Sequence, residues 1–109
     1  MVLCLQVTSK YNIYQIDIDQ SQISNQLNGQ ITFIGVLPEY NAFIVCRKSP
    51  INNEKCWTNH HFFEHSKVYG DIIIFASDDE GEQIDLDVDS LKNIIYLWST
   101  EQSSQFSTS

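Results

Sequence analysis

Alternating apolar and polar residues predict a strand over Val2 to Val7, a polar break at Thr8-Ser9-Lys10, and a second strand over Tyr11 to Ile18. In that second strand Ile16 and Ile18 share one face, Asp17 and Asp19 the other. The period then changes. Ile23 and Leu27 form the stripe of a short helix, Asp19 with Gln22 fits a capping box (Ser21 being the alternative cap), and Asn28-Gly29 supplies a left-handed stop. Gln30 to Val36 and Ala42 to Arg47 predict a hairpin turned at Pro38-Glu39-Tyr40-Asn41, where Pro38 presets its own φ and Asn41 accepts a turn conformation. Asp71 to Ser77 reads as a fifth strand, Asp78-Asp79-Glu80-Gly81 as a tight turn, and Glu82 to Val88 as a sixth strand. A final helix follows with Asp89 as its N-cap, and Leu91, Ile94, Ile95 and Trp98 at i, i+3, i+4 and i+7 make one apolar stripe.

Two of these stretches repeat. Gln15-Ile16-Asp17-Ile18-Asp19 and Gln83-Ile84-Asp85-Leu86-Asp87 lie 68 positions apart, and the same offset pairs Ile23 with Leu91, Asn25 with Asn93 and Leu27 with Ile95. The predicted fold is therefore α+β: a single mainly antiparallel sheet of about six strands with two short helices, arranged as a pseudo-repeat of strand-strand-helix units. Ile31 to Val36, Ala42 to Cys46 and Ile72 to Ala76 are apolar on both faces, as strands covered on both sides are. Two short helices are expected to cover one face only. The other is then left to the middle segment, to sheet curvature or to a second copy of the chain, which makes a homodimer an expectation.

At 109 residues the chain holds one domain, placed at 1–98, and the Ser/Thr/Gln-rich stretch 99–109 has the composition of a disordered tail. No long apolar run suggests a membrane span, and the first residues lack a basic leader followed by an apolar stretch. Three cysteines, Cys4, Cys46 and Cys56, cannot all pair within one chain, and they read as reduced thiols of an intracellular protein. The net charge of −8 opposes binding to nucleic-acid phosphates, since that affinity comes from Lys and Arg releasing counterions. Seven of the 14 acids fall within residues 78–89, so the charge gathers at one end of the molecule.

Candidate chemistry lies in two places. The connection from Lys48 to Tyr69 is 22 residues long, against a usual loop of roughly 4–6, and it contains Cys56, His60, His61 and His65 as C-x3-H-H-x3-H. On a helix these would pair at i, i+4 as zinc ligands, with Cys46 as a further donor, although no C-x2-C accompanies them. An amphipathic segment packing Trp57, Phe62 and Phe63 on the sheet explains the same residues without metal. The acidic stretch fails the EF-hand template, because placing Gly81 at the sixth position puts Ala76 first and Asp87 last. Asp85 and Asp87 instead form a charged row on the predicted sixth strand, beside Asp78 and Asp79, suited to docking a basic partner. Phosphate-binding glycine loops and the G-x-S-x-G nucleophile turn are lacking, and a Cys-His dyad has no support beyond proximity in sequence.

Ile31-Thr32-Phe33-Ile34-Gly35, Leu37-Pro38-Glu39-Tyr40-Asn41 leading into Phe43-Ile44-Val45, and Tyr69-Gly70-Asp71-Ile72-Ile73-Ile74 carry a resemblance. Over Tyr11 to Ile95 the chain resembles a family of small uncharacterised α+β domains from large eukaryotic DNA viruses and phages. That family has no assigned activity and so transfers no functional residues; the resemblance implies an accessory protein acting inside a host cell. The reading that follows is a non-catalytic intracellular protein-interaction module with no cofactor, contacting its partner through Trp57, Phe62, Phe63, Asp78, Asp79, Asp85 and Asp87. The alternatives are a zinc-binding protein using Cys56, His60, His61 and His65, and an acidic inhibitor that mimics DNA at a nucleic-acid enzyme.

Overall fold

Five consecutive buried residues, Ile72 to Ala76, mark the strand around which the molecule is built. A computed structural model describes residues 2–8, 12–48, 68 and 70–96. In chain order its strands are β1 (Leu3–Val7), β2 (Ile13–Asp17), β3 (Ile31–Leu37), β4 (Ala42–Arg47), β5 (Ile72–Ser77) and β6 (Gln83–Ile84). A 3-10 turn (Gln20–Gln22) leads into α1 (Ile23–Gln26), and residues 88–96 form a second helix, α2. The strands make one six-stranded sheet in the order β2-β1-β5-β4-β3, with β6 also pairing β5. Every pairing is antiparallel. A mainly antiparallel α+β sheet with two short helices is thus the architecture.

Strand periodicity sorts the core into two layers. Ile72, Ile74 and Ala76 join Leu5, Val7, Ile34 and Ile44 on the first face, where Leu91 and Ile95 of α2 pack. Ile73 and Phe75 join Cys4 and Val45 on the second face, under Ile23 of α1 and its C-cap Leu27. The two helices therefore cover opposite faces, which corrects the expectation that both would lie on one. The cause is topological. Strands β2 and β3 occupy the two edges of the sheet, so the chain between them must cross its whole width, roughly four inter-strand spacings of ~4.8 Å. It crosses over the second face and lays α1 there, while α2 follows β6 onto the first. Two-sided burial of β4 and β5 thus has a source within one chain.

Helix ends show further differences. Asn28, at φ 62, is the left-handed residue that stops α1, and the Gly29 amide donates back to the Ser24 carbonyl at 3.0 Å. The Asp19-Gln22 capping box does not form: the Asp19 carboxylate accepts from the Ser21 hydroxyl at 2.8 Å, and the Gln22 amide donates to the Asp19 backbone carbonyl instead. The sixth strand spans two residues rather than Glu82 to Val88, so residues 85–87 lie outside the sheet and present no alternating row. Leaving the sheet early moves the cap of α2 forward. Asp87, not Asp89, is the N-cap: its Oδ1 and Oδ2 accept from the Ser90 amide (3.3 Å) and hydroxyl (2.9 Å). The Leu91 amide closes the first helical turn on the Asp87 carbonyl at 3.1 Å.

Candidate functional site

α1 is four residues long and covers only part of the second face. Beyond it, strands β3, β4 and β5 present three phenylalanines side by side. Phe43 and Phe75 stack with centroids 5.7 Å apart and planes at 29°. Phe33 meets Phe43 edge-on at 6.2 Å and 80°, and Phe75 at 6.3 Å and 56°. Phe75 is buried, Phe43 is partly covered, and Phe33 is 54% exposed. Val36, opposite Phe43 in the ladder, is 47% exposed. Tyr14, Ile84 and Tyr96 are also exposed, but each stands on a separate element, which is ordinary for a protein surface. Phe33 and Val36 extend a shared ring floor and form a shelf.

A β-bulge makes the shelf. The register against β4 slips between Phe33 and Gly35, leaving Ile34 as the extra residue. In a regular strand, positions 33 and 36 would point to opposite faces. With the bulge, Phe33 opposite Val45 and Val36 opposite Phe43 both reach the second face, while Ile34 turns into the first core. The sequence reading singled out neither Phe33 nor Val36 as a site residue. Gly35 inside an apolar run was the available signal, because an internal strand glycine marks a bulge.

The rim of the shelf is polar, and an acidic turn adjoins it. Gln20, Ser77 and Gly81 complete a cleft of ≈ 200 Å³ over the three rings. Gln83 on β6 holds this rim: its side-chain carbonyl accepts from the Gln20 amide, and its Nε2 donates to the Ile18 carbonyl at 3.2 Å. The turn bearing Gly81 (φ 86) is built on Asp78, whose Oδ1 accepts from the Glu80 and Glu82 amides, each at 2.9 Å. Asp79, Glu80 and Glu82 project from that turn into solvent.

The predicted docking acids thus divide into two kinds. Asp78 organises the turn, Asp85 accepts from the Leu3 amide at 2.9 Å, and Asp87 caps α2, so these three carboxylates hold backbone. Asp79 remains an exposed charge beside the shelf. Trp57, Phe62, Phe63, Cys56, His60, His61 and His65 lie outside the described residues. Among the described residues no group of three or more His, Cys, Asp or Glu is placed to hold a metal ion. The Cys4 thiol is fully buried. Burial pushes it up from 9.0 to about 11, partly offset by the Gln83 Nε2 that donates to its Sγ at 3.3 Å. Cys46 is buried on the first face, its Sγ donating to the Arg47 carbonyl at 3.3 Å. No helix among the described residues is long and apolar enough to cross a membrane.

The chain belongs to the family of unknown function DUF5880, whose model matches residues 4–96 and so takes in all of the sheet but Leu3, together with the bulge and the acidic turn. No curated protein and no solved structure matches it.

Proposed function

We propose that this DUF5880 protein is a non-catalytic protein-interaction module that docks a partner on the Phe33-Val36-Phe43-Phe75 shelf. One observation carries the reading: Phe33 and Val36 are half-exposed on top of a formed aromatic floor, although the fold has a buried layer on each side. A Phe side chain holds roughly 200 Å² of surface. Covering the exposed half of Phe33 would contribute about 2.5 kcal/mol at ~25 cal/mol/Å², enough for about a hundredfold in affinity. Rings in such a position are the usual anchors of protein interfaces. The acidic charge argues for a protein partner over a nucleic-acid backbone.

The same reading places the module inside a cell, as an accessory protein of viral or phage type. It also takes the two Gln-Ile-Asp strand-helix stretches as a pseudo-repeat. In support, Ile23 and Leu91, and Leu27 and Ile95, are the buried anchors of α1 and α2.

The test is affinity capture with the full chain and with a Phe33→Ser/Val36→Ser variant whose circular dichroism matches the parent. A protein retained by the parent and lost with the variant supports the docking shelf. Identical capture by both proteins would remove it.

A further inference from the structure

We infer that the segment docking on this shelf is a basic peptide: one large apolar side chain seated over Phe43 and Phe75, carried next to Lys or Arg residues that face the acidic turn. The inference rests on the docking reading above and adds the chemistry of the partner.

The size of the cleft sets the anchor. A volume of ≈ 200 Å³ takes one or two side chains rather than the whole face of a helix. Among the described residues its floor is three rings with no ionisable group, so an aliphatic or aromatic residue is the fitting occupant. Charge then sets what flanks that anchor. Gly81, which lines the cleft, is bracketed by the exposed Asp79, Glu80 and Glu82. The described bases are Arg47, Lys48 and Lys92, and none of them lines the cleft. A Lys or Arg beside the anchor comes near the exposed carboxylates of the adjoining turn and the ring faces below, both of which attract cations.

The same charges disfavour the other occupants. An acidic peptide or a nucleic-acid backbone meets like charge at the adjoining turn. A second copy brings its own −8 and, in a two-fold arrangement, an identical acidic turn. Complementarity therefore favours a basic partner over self-association.

The experiment selects short random peptides by display against the immobilised full chain. A selected peptide is then titrated against the parent, Phe33→Ser and the double reversal Asp79→Lys/Glu80→Lys. Asp79 and Glu80 are chosen because they are exposed and, among the described residues, their side chains hold no backbone group. The expected result is enrichment of one large apolar residue adjacent to Lys or Arg. Phe33→Ser should weaken the peptide about a hundredfold. The turn reversal should weaken it about tenfold at low salt and less at high salt.

Peptides that need Phe33 but show no basic enrichment and ignore the turn reversal would overturn the basic-partner inference and leave the docking shelf standing. Peptides that bind Phe33→Ser as well as the parent, or failure to select any, would overturn both. Self-association in sedimentation that disappears with Phe33→Ser would make a second copy the occupant and overturn the basic partner.

Discussion

Removing Asp85 and Asp87 together should destabilise the fold, although both look like surface charges in an acidic stretch. Asp87 caps α2 through the Ser90 amide and hydroxyl, and loss of an N-cap costs about 0.5–2 kcal/mol. Its charge also sits at the positive end of the helix dipole, a contribution of about 0.3–1 kcal/mol that the same substitution removes. Asp85 accepts from the Leu3 amide at 2.9 Å, tying the start of β1 to the segment after β6; that bond is solvent-exposed, so about 1 kcal/mol is the expected loss. Asp85→Ala/Asp87→Ala should therefore cost about 2 kcal/mol, a sizeable part of the roughly 5–15 kcal/mol that holds a domain folded. In Tm this is on the order of 10 °C. Asp79→Ala/Glu80→Ala removes two exposed carboxylates of the neighbouring turn and should stay within about 0.5 kcal/mol. Asp89→Ala loses only the dipole part, a few tenths. Urea unfolding followed by far-ultraviolet circular dichroism measures all three. A loss below about 0.5 kcal/mol for the Asp85/Asp87 pair, or a larger loss for Asp89→Ala than for Asp87→Ala alone, would refute the capping argument.

Other substitutions test the two layers and the buried thiol. Ile74 is fully buried between Leu5 and Ile44, its ladder partners, so Ile74→Ala should cost about 3–4 kcal/mol in urea unfolding. A cost near 1 would mean that the first core is loosely packed. Cys4 keeps its proton more firmly in the folded state, with a pKa near 11 against 9.0. Its contribution is thus intact below about pH 9 and lost as pH rises toward about 11. Cys4→Val should flatten that alkaline decline, and the parent thiol should resist alkylation at pH 8; equal alkaline slopes in parent and variant would count against the assignment. A Cβ at Gly29 would lie 2.9 Å from Cδ of Arg47, whose Nη1 donates to the Leu27 carbonyl at 2.6 Å. Gly29→Ala should cost about 1–2 kcal/mol by displacing that guanidinium from the end of α1, and Arg47→Ala should abolish the sensitivity to it.

Local pattern carried much of this protein. Alternation located the strands, with β4 at its predicted limits and β1, β2, β3 and β5 within two residues of theirs. Ile23 and Leu27, and Leu91 and Ile95, were legible as helix stripes because spacings of three and four residues place side chains on one face whatever lies opposite. Asn28 and Asn41 were legible as turn residues for an equally local reason, since both occupy left-handed backbone. None of this depends on a distant partner.

Tertiary structure decided the rest, because each remaining question concerned residues far apart in sequence. Which face each helix covers followed from β2 and β3 lying at opposite edges of the sheet. The short β6 and the cap at Asp87 followed from where the chain leaves β5 to meet Leu3. Phe33, Phe43 and Phe75 come from three strands that only sheet order makes neighbours, and the slip at Ile34 turns Phe33 and Val36 to the same side. Residue spacing reports periodicity within one element. It carries no record of which elements become adjacent or how much of a sheet a four-residue helix leaves bare.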